Sequence, residues 1–424
     1  MTDRGVRPVL VALVIFLYTP FAYYHGVKLL PGGSVDFPTY HYAAEMVFLE
    51  GKSPYPPGAF DTASDQMGTL VVPYLYPPPS LLAFAPLALL SFSPGKTLMI
   101  LASHVCYLWA IWLLLTRLTP LPTERRLRDL TIILSLVYLF LFDPAIVTLQ
   151  LGQVNLIVLP FLFLALAGMR SNATAWKIAL PLSIAILLKT YPALLLVPLL
   201  FRRQFKAIAL TCAFFGVYTA IAALVLPLDV WSTWFQYVLP KGGYTNHEAS
   251  AMLWNQNINA FVSRLLIGDP LAQAPLPFPS VAKPIATAFG LTVLGSTAYF
   301  AFRSARRDGQ RTMSDTEIAT FLLTIFLIAP LSWEHHLVYV LPAASVALCF
   351  LVERRTDWVP GVLIAAALCL IAWRVPFADE SLRHGWWTLL ISIKFYAALA
   401  LWAFFLARLR REGTATPAHL PATR

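Results

Sequence analysis

Apolar stretches of about 20 residues, the length a helix needs to cross a bilayer, recur along the whole chain and constrain its fold more than any other feature. Clear examples are Val9–Tyr24, Leu98–Leu115, Leu130–Leu149, Val154–Ala167, Ala207–Leu226, Ile285–Phe302, Ile318–Leu331, Leu337–Val352, Trp358–Trp373 and Trp387–Leu406. Two further stretches are interrupted. Pro77–Phe92 is short and rich in proline, and Ile178–Phe201 carries Lys189-Thr190-Tyr191-Pro192 in its middle. Only helices or closed barrels satisfy their backbone in lipid. The expected fold is therefore an all-α polytopic membrane protein with about 10–12 transmembrane helices.

Composition excludes the competing classes. Hydrophobic residues make up 58% of the 424 and charged ones 12%, too few to cover a soluble surface of this size. The apolar excess also rules out disorder. Cys106, Cys212, Cys349 and Cys369 lie in apolar runs without a CxxC pair and read as small packing residues. The net charge of +10 is concentrated in short runs between apolar segments: Arg125, Arg126, Arg128; Arg202, Arg203, Lys206; Arg303, Arg306, Arg307, Arg311; Arg354, Arg355; and Arg408, Arg410, Arg411. That is the distribution of cytoplasmic loops rather than a stripe for nucleic acid.

The basic runs set an expected orientation. Both termini read as cytoplasmic, with an uncleaved first span and a disordered tail over 412–424; residues 1–411 read as a single domain in the cell's inner (plasma) membrane. Two long loops, about 25–72 and 229–283, then face outward. If Pro77–Phe92 and Ile178–Phe201 are both re-entrant or broken, every basic run falls on the inner side, and Gln153, Asn155 and Lys189 fall on the outer side with the loops.

Polar groups near the hydrocarbon are costly and mark candidate sites. Asp36, in Ser34-Val35-Asp36-Phe37-Pro38-Thr39-Tyr40-His41, is a candidate general base at the outer face; the plainer reading is a helix N-cap. Gln153 and Asn155, in a tight turn after Gly152, can bind sugar hydroxyls or a phosphate, or simply cap the next helix. Lys189 lies ten or more residues from either end of its segment. A lipid phosphate would satisfy it, with Pro192 breaking the helix and Tyr191 beside it. Trp254-Asn255-Gln256-Asn257 offers an indole face and carboxamides, suited to carbohydrate or to an interfacial anchor. Glu334, His335 and His336 sit between two apolar runs. Adjacent histidines diverge on a helix, which argues against metal and for contact with phosphate or an acid–base role. Asp143 reads as a partner for a basic residue.

In this order, the Asp36-Phe37 pair, Glu50-Gly51-Lys52-Ser53-Pro54-Tyr55, Tyr76-Pro77-Pro78, Gly152-Gln153-Val154-Asn155, Lys189 before Tyr191-Pro192, Asn255-Gln256-Asn257 and Ser332-Trp333-Glu334-His335-His336 resemble the family-87 glycosyltransferases. Those are polyprenol-phosphate-mannose-dependent α-mannosyltransferases of the GT-C class. The resemblance implies a GT-C-type fold with an outward cavity, a polyprenyl-phosphate sugar donor (usually mannose), and inverting transfer to a hydroxyl of a glycolipid or glycan acceptor. It maps the base onto Asp36 and the donor-phosphate contacts onto Lys189, His335 and His336. Tyr40, Gln153, Asn155, Tyr191, Trp254, Asn255, Gln256, Asn257 and Glu334 are then the expected sugar or acceptor contacts. Neither a metal nor another cofactor is called for, and no nucleic acid. An O-antigen-ligase-like enzyme or a polytopic transporter is the alternative. The near-neutral second loop argues against the ligase, and the lack of an internal repeat argues against the transporter.

Overall fold

The computed structural model describes residues 3–31, 34–241, 251–268, 273–377 and 379–412. The tail expected at 412–424 lies outside these residues except for Glu412. Among the described residues the chain is helical, with no strand and one isolated bridge between Asn255 and Trp333. Six helices among the described residues are long and apolar enough to cross a membrane: Phe92–Leu118, Arg125–Leu151, Phe205–Val225, Pro279–Asp308, Glu334–Val352 and Gly385–Glu412. Shorter apolar helices, among them Asn155–Ser171, Ala175–Leu188 and Trp358–Ala372, pack between them. The protein is an all-α membrane protein.

Burial separates the centre of the bundle from its edge. In Glu334–Val352, 83% of the apolar window is buried, whereas Phe205–Val225 and Pro279–Asp308 bury only 11% and 17%. A helix that is apolar all round yet little buried within the protein has lipid as its solvent, so these two form the periphery.

The helix ends fall into two groups. At one end the basic runs are knitted together. Arg170 Nε meets Asp315 Oδ1 at 2.6 Å, and its Nη1 donates to the carbonyl of Arg117. Arg202, fully buried, lies between Asp308 (2.7 Å) and Glu317. Thr316 donates to Glu412. At the opposite end the two interrupted segments meet the remaining loops. Pro77–Phe92 begins beside Tyr76, which accepts a hydrogen bond from Lys189, and ends with Phe92 against Phe37. It therefore starts and finishes at the same end. The second segment is a helix, Ala175–Leu188, that stops at Lys189 (φ −152°, ψ 125°), followed by the turn Tyr191–Leu195 and the helix Leu196–Phe201, which leads to Arg202. Pro192 lacks the N–H that would continue the first helix. The chain thus goes in from the basic end and comes back to it.

The stretch expected as a first long loop is largely folded. It contains the helices Phe37–Phe48 and Asp61–Met67, and Phe37, Tyr40, Ala43, Ala44 and Val47 are buried. The acids Glu45, Glu50, Asp61 and Asp65 accompany an apolar face whose partner lies elsewhere in the chain. Tyr40 stacks on Phe84 with centroids 4.5 Å apart. In the second loop, Leu228–Thr233 and Ile258–Leu266 are helical, and the next long helix starts at Pro279.

Candidate active site

A cavity of about 1620 Å³ opens at the end of the bundle opposite the basic runs. Asp36, Tyr40, Gln153, Lys189, Tyr191, Trp254, Glu334, His335 and His336 all line it. Nine of the thirteen expected site residues are thus brought together from five separate chain segments.

Asp36 immediately precedes the helix Phe37–Phe48, whose entry is set by Pro38 in the first turn. Its backbone N–H donates to the carbonyl of Leu151 at 2.9 Å. That approach requires Gly152, which closes the preceding helix at φ +70°; a Cβ there would lie 2.6 Å from Cβ of Phe37. The recessed setting raises the Asp36 carboxyl to about 6 from its ordinary 3.8, because burial penalises the charged form; Lys189 and the Gln153 amide pull it back only in part.

Gln153 is the junction of the floor. Its Oε1 accepts from Tyr40 Oη at 2.7 Å and from Lys189 Nζ at 3.4 Å. Lys189 Nζ also donates to Tyr76 Oη at 2.7 Å, and Tyr76 Oη lies 3.0 Å from Tyr40 Oη. Its hydrogen bonds go to neutral oxygens and, among the described residues, no carboxylate lies within ion-pair distance, although Asp36 is close enough to feel its charge; the ammonium is therefore open to an anion. Tyr191 Oη donates to the carbonyl of Leu331 at 2.5 Å, fixing the start of the segment that carries the histidines.

His335 and His336 are edge to face at 4.6 Å between centroids, and Tyr191 lies 5.2 Å from His336. His335 lines the cavity, and its Nε2 is buried with no hydrogen-bond partner among the described residues, a rare condition for a buried polar atom. Glu334 does not face a sugar site alone. Lys394 Nζ binds it at 3.0 Å and also binds Asp143 at 3.3 Å, and Lys394 is completely buried. Asp143 has the basic partner expected of it.

Asn155, Asn255, Gln256 and Asn257 do not line the cavity, and the expectation that they contact sugar is corrected. All four are fully buried; the amides of Asn255, Gln256 and Asn257 are committed to the protein, whereas Asn155 Nδ2 has no hydrogen-bond partner among the described residues. Asn155 Oδ1 accepts from Tyr339. Asn255 Oδ1 accepts from Ser332 N, and Gln256 Nε2 donates to the carbonyls of Leu253 and Ile391. Asn257 caps the helix Ile258–Leu266 through Ala260 N and donates to the carbonyl of Ala329. With the bridge between Asn255 and Trp333, these bonds splice the loop ending at Asn257 to the loop from Leu331 to Glu334, which sets Trp254 and Trp333 on one wall.

The sequence reasoning missed Lys394, Arg374 and Arg383. Lys394 stands inside an apolar run as Lys189 does, so the same criterion finds it. Arg374 and Arg383 line the cavity from a short connection that carried no pattern. Among the described residues, no three His, Cys, Asp or Glu side chains converge as a metal site.

The family model for glycosyltransferase family 87 matches residues 74–330. A polyprenol-phosphate-mannose-dependent alpha-(1-2)-phosphatidylinositol mannoside mannosyltransferase of Mycolicibacterium smegmatis is 29% identical over 77% of this chain and 72% of its own length. A protein of the same description from Mycobacterium tuberculosis is 27% identical over 97% of this chain and 90% of its own. A polyprenol-phosphate-mannose-dependent alpha-(1-2)-phosphatidylinositol pentamannoside mannosyltransferase of M. smegmatis is 25% identical over 80% and 74%.

Proposed function

The chain belongs to glycosyltransferase family 87, and we propose that it moves a mannosyl residue from a polyprenyl-phosphate donor to a hydroxyl of a glycolipid acceptor, with inversion and with Asp36 as general base. The observation that carries this reading is the shared cavity. A recessed carboxylate, a lysine without a carboxylate partner and an unpartnered imidazole line one space at the end of a membrane bundle.

In the proposed reaction the donor phosphate rests on Lys189, with His335 and His336 beside it, and the prenyl chain extends along the bundle. Asp36 takes the proton of the acceptor hydroxyl as that oxygen attacks the anomeric carbon. The bond from that carbon to the phosphate oxygen breaks, and the electron pair leaves with the phosphate. Lys189 stabilises the charge that gathers there. Tyr40 and Gln153 hold Lys189 and Asp36 in register, and Trp254 offers an apolar face to a sugar ring. The leaving group is a phosphate monoester of a lipid, and the cavity's own cations serve it without a metal in this scheme. The relatives' acceptors, phosphatidylinositol mannosides, make a mannosylated phospholipid the first acceptor to try. The basic end of the bundle faces the cytoplasm by the positive-inside rule, so the cavity opens on the extracytoplasmic side of the plasma membrane.

Purified protein in detergent, given polyprenyl-phosphate mannose and nucleotide-linked mannose in parallel with a phosphatidylinositol mannoside, tests the donor. Transfer is expected from the lipid donor alone; use of the nucleotide sugar alone overturns the reading. An Asp36→Asn variant is expected to keep its fold and donor affinity while losing about 10²–10⁴-fold in turnover. Near-normal turnover removes Asp36 from the role of base.

A further inference from the structure

Arg374 follows the helix Trp358–Ala372 and lines the cavity. Its side chain is 67% exposed and its protein contacts are long: Nε lies 3.9 Å from Asp143 Oδ1, and Nη2 donates to Gln150 Oε1 at 3.4 Å. The reason it sits there is a charge imbalance behind it. Asp143 and Glu334 share the single buried ammonium of Lys394, which leaves one negative charge in excess. Arg374 is the cation drawn toward it. Asp143 thereby aims the guanidinium while leaving most of its five donors open to the cavity.

A polyprenyl-phosphate donor needs one cationic site, and Lys189 supplies it. The cavity has a second, built on different elements. Lys189 is anchored by Gln153 and Arg374 by Gln150, three residues away across the Gly152 turn. The carbonyl of Leu151, between them, receives the backbone N–H of Asp36. The order along this short stretch is Arg374, base, Lys189. The cavity volume also exceeds the roughly 300–1,000 Å³ of a pocket for one small ligand.

We propose that Arg374 binds a phosphate diester in the headgroup of the acceptor lipid, so that the cavity accepts one anion on each side of Asp36. This rests on the donor assignment above, since it presumes that Lys189 serves the other phosphate. Arg383, on the same rim, adds positive charge to this side while donating to the carbonyl of Phe377 at 3.3 Å.

The test is binding by the full chain in detergent with polyprenyl phosphate at saturation, followed by the fluorescence of Trp254 and Trp333 in the cavity wall. The probes are dihexanoyl phosphatidylinositol, dihexanoylglycerol and inorganic phosphate. Arg374→Gln is expected to weaken phosphatidylinositol binding by about tenfold or more, the loss typical of a charged hydrogen bond, and to leave polyprenyl-phosphate affinity unchanged. Lys189→Met is expected to do the reverse. Equal phosphatidylinositol affinity in wild type and Arg374→Gln overturns the proposal, as does an equal loss of dihexanoylglycerol. Inorganic phosphate bound as tightly as the phospholipid, and through Arg374, makes this a free-anion site and overturns the lipid assignment. Failure of the wild type to use polyprenyl-phosphate mannose is a separate result that removes the donor reading itself.

Discussion

The backbone N–H of Asp36 donates to the carbonyl of Leu151 at 2.9 Å, so the candidate base is pinned by main chain to the end of a helix more than a hundred residues downstream. Its position does not depend on the rotamer of any neighbour. It depends on Gly152, the one residue type that allows the two segments to touch.

Gly152→Ala is therefore expected to damage activity more than stability. A left-handed alanine costs about 1 kcal/mol, and its Cβ, 2.6 Å from that of Phe37, forces the Asp36 segment away. A displacement of about 1 Å at a reacting group can cost on the order of 10²-fold in rate. Steady-state kinetics beside thermal unfolding in detergent checks this; unchanged kcat/KM means the junction does not position the base.

The raised Asp36 carboxyl predicts the pH dependence. A base must be ionised, so kcat/KM should fall on the acid side with a midpoint near the value of about 6 that burial imposes. The sign for stability is opposite. The folded value lies above the ordinary 3.8, so this group favours the folded state fully below 3.8, and that contribution is lost as pH rises through about 6. Lys189→Met removes one of the influences that lower the carboxyl, so the acid limb should move to higher pH. A limb near pH 4 in the wild type contradicts the burial argument.

Lys394→Met strips the shared ammonium from Asp143 and Glu334, all three buried. Removing one partner of such a cluster typically costs about 3–5 kcal/mol. Thermal unfolding should show that loss, and adding Asp143→Asn and Glu334→Gln should restore much of it. A single variant as stable as wild type shows that the cluster is not a structural tie.

Chelation supplies a further test. The proposed step relies on Lys189 for charge, so transfer should persist in excess EDTA. Abolition by EDTA with recovery on adding Mg²⁺ places a metal in the reaction.

The sequence made nine residues of the cavity lining legible, Lys189 above all, because a charge or amide inside an apolar run is expensive wherever it falls. Lys189 and Asp143 stood out on that ground alone. Asn255, Gln256 and Asn257 were misjudged because a carboxamide bound to backbone and one waiting for a sugar look alike until the partners are known. The burial of the helix Phe37–Phe48 was hidden for a related reason, since the aromatic side chains it packs on, Phe84 and Phe92, lie beyond the segment itself. Arg374 could not be found by pattern, because its role depends on an excess charge distributed over Asp143, Glu334 and Lys394.

The break at Lys189 has a consequence for what else the site can do. Non-helical backbone within a membrane bundle is tolerated only where protein or water satisfies it, and here it borders the cavity. In the proposed reaction the open cavity admits solvent to the donor's anomeric carbon whenever the acceptor is absent, and the proposed base, Asp36, can activate a water as it does an alcohol. Fidelity in such an enzyme is a matter of occupancy: transfer prevails over hydrolysis to the extent that the acceptor fills the space before the donor commits.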